Sequence, residues 1–522
     1  MSGIARREAA AGLLAAAAAG GARAAEPTIA RTAAGPVRGV SDGGVLAFKG
    51  VRYGADTGGE GRFRAPRPPE PWTEVRDALA YGPASPQARG AGPTSEDCLF
   101  LNVWTPALRD GRRRPVLVYI HGGSYMTGSG SHPTYDGRRL ARRGDSVVVT
   151  VNHRLNALGY AYLARLDPRL PDSGNAGQLD LVLALRWVRD NIAEFGGDPR
   201  CVTVFGQSGG GAKIATLMAM PAAAGLFHRA WTMSGQQLTA SGPLNAGRRT
   251  ANWLATLGLA PDDIDGLRRL PADKLVAAMS AVDPVIGSGG LYFGPVLDGR
   301  NLPRHPFYPD APPQSATIPM VIGNTHDETR AFLGRGADRS AFELTWDALP
   351  ARLAREMRVD ILPERVVAEY RRLHPGWSPS DVLFGATTAS RSWRAAVVEA
   401  ELRAAQGAPT WAYQLDWRSP VRGGELGAFH TLDIPLVFDT VAAGRDDIGG
   451  GADAQGVADQ MSEHLLRFAR TGDPSLPGRP WPMYRLPRRA TRVFDTASRV
   501  EDDPRGAERR LFAAVPFVQQ GT

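Results

Sequence analysis

Two cysteines in 522 residues, Cys98 and Cys201, are too few for a disulfide framework. They sit beside predicted strands, in "EDCLFLNVW" and "CVTVFGQ", and read as free buried thiols. No Cys/His cluster has metal-ligand spacing. Lysine is nearly absent: Lys49, Lys213 and Lys274 are the only three among 61 basic residues, and the other 58 are arginine. Set beside 53 acidic residues and many alanines, that bias reflects a GC-rich coding sequence more than a binding surface. No block of like charge occurs, since arginines and acids alternate, as in "PERVVAEYRR". A mixed solvated surface follows, and nucleic-acid binding is not expected. No apolar run after the N-terminus reaches the ~18 residues that a membrane span needs, so no membrane span is expected.

The remaining composition is that of a globular protein. Apolar residues make up 43% and charged residues 22%, with a net charge of +8. These values exclude wholesale disorder, collagen and coiled coil. The 61 glycines and 41 prolines imply many turns. Residues 1–24 read as a signal peptide. Arg6 and Arg7 make a positive start, Ala9 to Gly21 a short apolar run, and Ala22-Arg23-Ala24 a cleavage site before Ala25. The expected location is therefore outside the cytoplasm, periplasmic or secreted, by the general or the twin-arginine route.

Several β-branched runs show no alternation, as expected of parallel strands buried on both faces: Val116–Ile120, Val147–Val151, Val202–Phe205, Met320–Ile322 and Thr410–Leu415. Between the second and third, Leu179, Val182, Leu183, Leu185, Val188 and Ile192 trace the apolar face of a helix that Gly196-Gly197 ends. Strand, helix, strand is a βαβ unit, so the chain reads as α/β. The stretches 240–315 and 340–405 read as helices and loops inserted into that framework. No linker separates independent domains, and residues 25–522 read as one large domain.

Gly206-Gln207-Ser208-Gly209-Gly210 matches G-x-S-x-G, and so does Gly39-Val40-Ser41-Asp42-Gly43. Context separates the two. Ser208 follows a strand and precedes a helix-compatible run, which is the nucleophile elbow. Ser41 lies in a glycine-rich hairpin turn. A serine nucleophile needs donors for an oxyanion and a base for its proton. "VLVYIHGGSY" ends a strand in His121-Gly122-Gly123, whose backbone N–H groups can approach an oxyanion, and Gly209 supplies a further N–H.

The base should follow the acid along the chain. That order removes His121, His132, His153 and His228. His305 precedes Pro306 in a proline-rich loop. His464 belongs to an amphipathic helix, and His374 ends another. His326 precedes both acids considered next. His430, in the glycine-containing loop "GELGAFHTLDIPL", is the candidate base. "IPMVIGNTHDETRAF" offers Asp327 and Glu328 as the orienting acid, and spacing does not choose between them.

Taken together, these segments resemble the type-B carboxylesterase family of α/β-hydrolases, which includes the cholinesterases. The resemblance rests on "FKGVRYG" with "RFRAPRPPEPW", "SEDCLFLNVWTP", "HGGSY", "GNAGQLDLVLALRWVRDNIAEFGGDP", "VTVFGQSGGG", "GNTHDE", "GAFHTLDIPLVFD" and "FARTGDPSLPGRPWPMY", in that order over nearly all the chain. It implies an α/β-hydrolase fold with a large, mostly parallel sheet flanked by helices. It implies a Ser208–Glu328–His430 triad, with Glu328 as the orienter and oxyanion donors at Gly122, Gly123 and Gly209. The implied reaction is hydrolysis of a small-molecule carboxylic ester through an acyl-enzyme, with no metal or organic cofactor. Amide or carbamate hydrolysis, acyl transfer to an alcohol, and a catalytically silent binding role are the alternatives. The sequence gives no oligomeric state, monomer or dimer alike.

Three departures from the family pattern stand out. Gln207 replaces the usual Glu before the serine and Gly209 the usual Ala after it, and the loss of that Glu argues against choline esters. No cysteine precedes Cys98, so the cholinesterase loop disulfide cannot form, and Trp72 matches the structural Pro-Trp signature. "HTLD" replaces the commoner His-Gly-x-Glu. The arginine excess raises an anionic ester as a candidate substrate.

Overall fold

The computed structural model describes residues 28–519 and 521, apart from 91 and 337. The expected signal peptide, residues 1–24, lies outside the described residues. The centre of the molecule is an 11-stranded sheet. Its strands, in chain order, are β1 (Val40–Asp42), β2 (Val45–Arg52), β3 (Phe100–Thr105), β4 (Arg114–Ile120), β5 (Val147–Val151) and β6 (Gly197–Gln207). They continue as β7 (Arg229–Met233), β8 (Met320–Thr325), β9 (Thr410–Leu415), β10 (Ala490–Phe494) and β11 (Arg499–Asp502). The spatial order is β11-β10-β9-β8-β7-β6-β4-β5-β3-β2-β1. From β10 through β5 every neighbouring pair is parallel, and antiparallel strands close both margins. The expected mostly parallel α/β sheet is present. A separate three-stranded sheet joins Ile29–Arg31, Pro36–Arg38 and Arg76–Asp77.

The unbroken apolar runs are the parallel strands because these strands are covered on both faces. Every residue of β4, β5 and β8 is buried. Alternate side chains go to opposite layers. Val116, Val118 and Ile120 pack with Leu181, Leu185 and Val188 of helix α1 (Ala176–Asn191). Leu117 and Tyr119 pack with Met461, Leu465 and Phe468 of the long helix Ala452–Thr471 on the other face. The margin strand β11, Arg-Val-Glu-Asp, carries charges that discourage further pairing.

The βαβ reading holds, with one refinement: β4 lies between β5 and β6 rather than leaving them neighbours. Helix α1 runs into a 3-10 turn, Ile192–Phe195, and Gly196 ends it at φ +72°. A side chain there would be strained, which is why glycine occupies the stop. Ser41 lies in the β1–β2 hairpin, turned by Gly43 and Gly44, both at positive φ. Cys98 is a buried free thiol as expected. Cys201 is also free but only half-buried, because it falls near the start of β6, ahead of the fully buried Val202–Gln207.

Candidate active site

The polar residues singled out in the sequence gather beyond the carboxyl ends of the parallel strands, where the open edge of an α/β sheet leaves a crevice. Ser208 follows β6 directly and starts helix α2 (Gly209–Leu217). Its backbone sits at φ 55°, ψ −126°, a conformation that costs a non-glycine residue of order 1–3 kcal/mol. The surroundings hold it there. Its N–H donates to the Met233 carbonyl at 2.8 Å, and its carbonyl accepts from Ala212 N at 3.1 Å. Gly206 and Gly210 let α2 close onto the strand ends: a Cβ on either would collide with the Ile120 carbonyl.

The loop after β4 lies against this elbow. A Cβ on Gly122 would approach the Ser208 Cβ to 3.2 Å. Gly123 takes φ +83°, and its carbonyl accepts from Met126 N and Thr127 N. Among the described residues, the N–H groups of Gly122, Gly123 and Gly209 donate to no other group. Lys213 of α2 supports this loop from below. Its Nζ donates to the carbonyls of His121 (3.2 Å) and Ser124 (2.8 Å), which flank the glycine pair. Burial pushes this amine down to about 7. His121 and His153 stack nearby with ring centres 4.5 Å apart. Both are held well below the ordinary imidazole range, chiefly by burial.

The two adjacent acids after β8 go to different partners. Glu328 is fully buried, and one of its oxygens meets His430 Nδ1. The other accepts from Ser234 Oγ, from Thr325 N at 2.9 Å and from Asn324 Nδ2 at 3.3 Å. Burial pushes this carboxyl up, but the imidazole and these donors outweigh it and hold it below the ordinary range. Asp327 instead clamps the loop that carries the histidine. Its N–H donates to the Ala428 carbonyl at 2.8 Å, and its Oδ2 accepts from Ala428 N at 2.9 Å. Gly427 takes φ +61° here, and a Cβ on it would strike the Asp327 carboxylate. Spacing left this choice open; in the structure Glu328 reaches the imidazole, and Asp327 fixes the backbone two residues before it.

His430 packs against Phe332, with ring centres 4.6 Å apart. The Gln207 side-chain amide lies 3.4 Å from Nδ1 and 3.3 Å from Nε2. Nδ1 is committed to Glu328, so the amide rests against the ring rather than replacing that bond. Ser208, Gly209 and His430 all line one cavity of about 270 Å³. The Ser208 hydroxyl makes no hydrogen bond to a described side chain, and it and His430 share the cavity wall. Such contacts commonly close only once substrate is bound.

The other histidines fall away. His464 is fully buried in its helix, donates from Nδ1 to the Pro474 carbonyl at 2.6 Å, and is pushed down to about 4 by burial. His374 stacks on Trp377 with ring centres 3.8 Å apart. His326 contacts Asp327 at 3.3 Å and does not line the cavity. Trp72 is also absent from the lining. It donates to the Pro36 carbonyl at 3.1 Å, as a structural residue would.

Sequence reasoning did not find the supporting residues Ser234, Asn324 and Lys213, or the far wall of the cavity. That wall includes Met357, Arg358, Ser390, Arg391, Ser392 and Ala395, all from the inserted helical region. No short motif marks them. Among the described residues, no group of three or more His, Cys, Asp and Glu could hold a metal, and no helix is long and apolar enough to cross a membrane.

Comparison with known proteins places this geometry in context. The sequence model of the carboxylesterase family matches residues 26–510. The chain is 36% identical to the para-nitrobenzyl esterase of Bacillus subtilis (strain 168) over 502 residues, covering 92% of this chain and 98% of that one. It is 36% identical to the phenmedipham hydrolase of Pseudarthrobacter oxydans, covering 88% of this chain and 93% of that one. Among solved structures, the Geobacillus stearothermophilus carboxylesterase EST55 superposes with a TM-score of 0.82 at 38% identity, covering 93% of this chain and 100% of that one.

Proposed function

The chain belongs to the carboxylesterase family and is a carboxylic ester hydrolase; from that premise we propose that Ser208 is its nucleophile, His430 its base and Glu328 the orienter of that base. The observation that carries the assignment is the Glu328–His430 contact opening onto the cavity that the Ser208 elbow also lines. Ser208 Oγ attacks the ester carbonyl as His430 Nε2 takes its proton. The N–H groups of Gly122, Gly123 and Gly209 receive the tetrahedral oxyanion, and losing one such donor typically costs about 10²–10³ in rate. The intermediate collapses, the alcohol leaves with the proton from His430, and an acyl-enzyme remains. Water, activated by the same imidazole, then releases the acid. Glu328 keeps Nδ1 protonated, so Nε2 is the free acceptor, and it stabilises the imidazolium that forms. The substrate is a small-molecule ester.

The Arg6-Arg7 pair, the alanine-rich run and the Ala22-Arg23-Ala24 site support export, with Ala25 as the mature N-terminus. One experiment reads both proposals. Intact mass is measured on the secreted or periplasmic protein, wild type and Ser208→Ala, before and after a fluorophosphonate, with 4-nitrophenyl butyrate turnover alongside. A single adduct and turnover in wild type, both absent in the variant, are expected, on a chain that starts at Ala25. An adduct that survives Ser208→Ala would overturn the nucleophile assignment. A chain that retains residues 1–24 would overturn the leader.

A further inference from the structure

The cavity that holds Ser208 and His430 is lined by two arginines, Arg358 and Arg391, and by no aspartate or glutamate among its described lining residues. That imbalance is local and differs from the chain-wide arginine excess. Most arginines here sit beside a carboxylate, as Arg330 does with Asp381 at 2.6 Å and Arg154 with Asp180 at 2.6 Å. Arg391 does not. Its Nη1 is buried without a hydrogen-bond partner among the described residues. Glu356, whose charge reaches both arginines, is itself paired to Arg352 at 3.3 Å.

The backbone at Arg391 adds to the same field. Arg391 is the residue between two helices, α3 (Pro379–Ser390) and α4 (Ser392–Gln406), at φ −109° and ψ −108°. It therefore caps the N-terminus of α4, a helix of 15 residues. The first turn of a helix has unsatisfied N–H groups and a partial positive charge, and it favours an acidic neighbour. This one has no acidic residue in its first turn and an arginine at its cap. Ser390, Ser392 and Ala395 join Arg391 in the cavity wall, so the α4 N-terminus opens into the cavity. Arg391, a second arginine and a helix N-terminus converge on one space that has no aspartate or glutamate among its described lining residues.

We propose that Arg391, with Arg358 and the N-terminus of α4, forms an anion subsite within the catalytic cavity, and that the enzyme takes esters carrying a carboxylate remote from the scissile bond. The proposal rests on the Ser208 assignment above and adds a substrate class to it. The remote carboxylate docks on the Arg391 guanidinium while the ester carbonyl lies at Ser208. Burial, with the charge of Arg358, pushes Arg391 down to about 10, which leaves it a cation at neutral pH.

The test compares kcat/KM for matched neutral and carboxylated esters in two arms. One arm uses 4-nitrophenyl hexanoate and its analogue with a terminal carboxylate on the acyl chain. The other uses butyrates of benzyl alcohol and of 4-carboxybenzyl alcohol. In wild type the carboxylated ester is expected to be preferred at least fivefold in one arm, and that arm identifies the side of the substrate that meets Arg391. Arg391→Gln should lower this preference about tenfold and Arg391→Lys by less, because lysine keeps the charge but loses the fork. Added salt should lower the wild-type preference as well. A preference for the neutral ester in both arms, or an equal loss on both esters in Arg391→Gln, would overturn the subsite. The wild-type ratio decides the matter even if a variant misfolds. Failure of wild type to turn over either neutral ester would instead strike the Ser208 reading and remove the subsite with it.

Discussion

The cavity has two kinds of wall. The wall built from strand ends surrounds its acids with internal partners: Glu328 with the donors His430, Ser234, Thr325 and Asn324, and Asp327 with Ala428 and His326 and an ion pair to Arg330. The wall built from inserted helices holds Arg391 with a buried Nη1 that has no hydrogen-bond partner among the described residues. The first arrangement is complete without substrate, and such preorganisation is what a reacting centre needs. Under the proposed subsite, the second meets its anion in the substrate. On that reading the first wall positions the chemistry and the second selects the ligand.

The sharpest way to break this comparison is to separate the two neighbouring acids of the strand-end wall. Glu328→Gln keeps size and shape but cannot hold Nδ1 protonated or stabilise the imidazolium. Its kcat should fall by about 10³–10⁴-fold, as expected when an orienting carboxylate is neutralised. Asp327→Asn loses one acceptor of a loop clamp and leaves the imidazole its partner. Its kcat should stay within about tenfold of wild type, while the melting temperature drops by a few degrees, from a loss of roughly 1–2 kcal/mol in a buried hydrogen-bonded site. Steady-state kinetics and thermal melts on both variants check this. Equal kinetic losses would mean that the two acids share one role.

How much of each wall can be read from sequence follows from how it is built. The strand-end wall is legible because its constraints are local. A sharp turn needs the glycines around Ser208, an oxyanion loop needs Gly122 and Gly123, and a β-branched five-residue run already declares β5. Even there, Asp327 and Glu328 differ only in which way their side chains leave the chain, and spacing carries no such information. The strand β7 carries no long apolar run and is recognised only by its register between β6 and β8. The far wall is illegible for a physical reason. Arg391 faces the cavity because α3 and α4 meet there, and amphipathic periodicity predicts that helices bury a face without saying which space the junction opens into.

Gln207 gives a subtler test of the strand-end wall. It is 1% exposed, and its amide touches the imidazole without bearing charge. In Gln207→Glu a carboxylate would stand in the same place and favour the imidazolium. The base would then stay protonated to higher pH, so the acidic limb of kcat/KM should move upward by about one unit. The plateau rate should change by less than about tenfold. A limb that does not move would mean that the residue at 207 does not govern protonation of the base.

The smallest expected effect concerns a fully buried cation, Lys213, and it shows why the half-buried Arg391 differs. The Nζ of Lys213 has only neutral carbonyls as partners, and burial pushes it from 10.5 down to about 7. Because the folded value is the lower one, between about pH 7 and 10.5 the unfolded chain carries this proton and the folded chain does not. Stability from this group therefore rises with pH across that window and is lost as pH falls through about 7. In Lys213→Met that contribution vanishes. The wild-type advantage in urea midpoint over the variant should grow between pH 7 and 10, and kcat should fall a few-fold as the glycine loop loosens, about tenfold at most. A difference between the two proteins that is flat with pH would refute the assignment. Lysine can relieve its burial by giving up a proton. Arginine at Arg391 keeps its charge across the working range of the protein, so under the proposed subsite it is a carboxylate of the substrate that meets it.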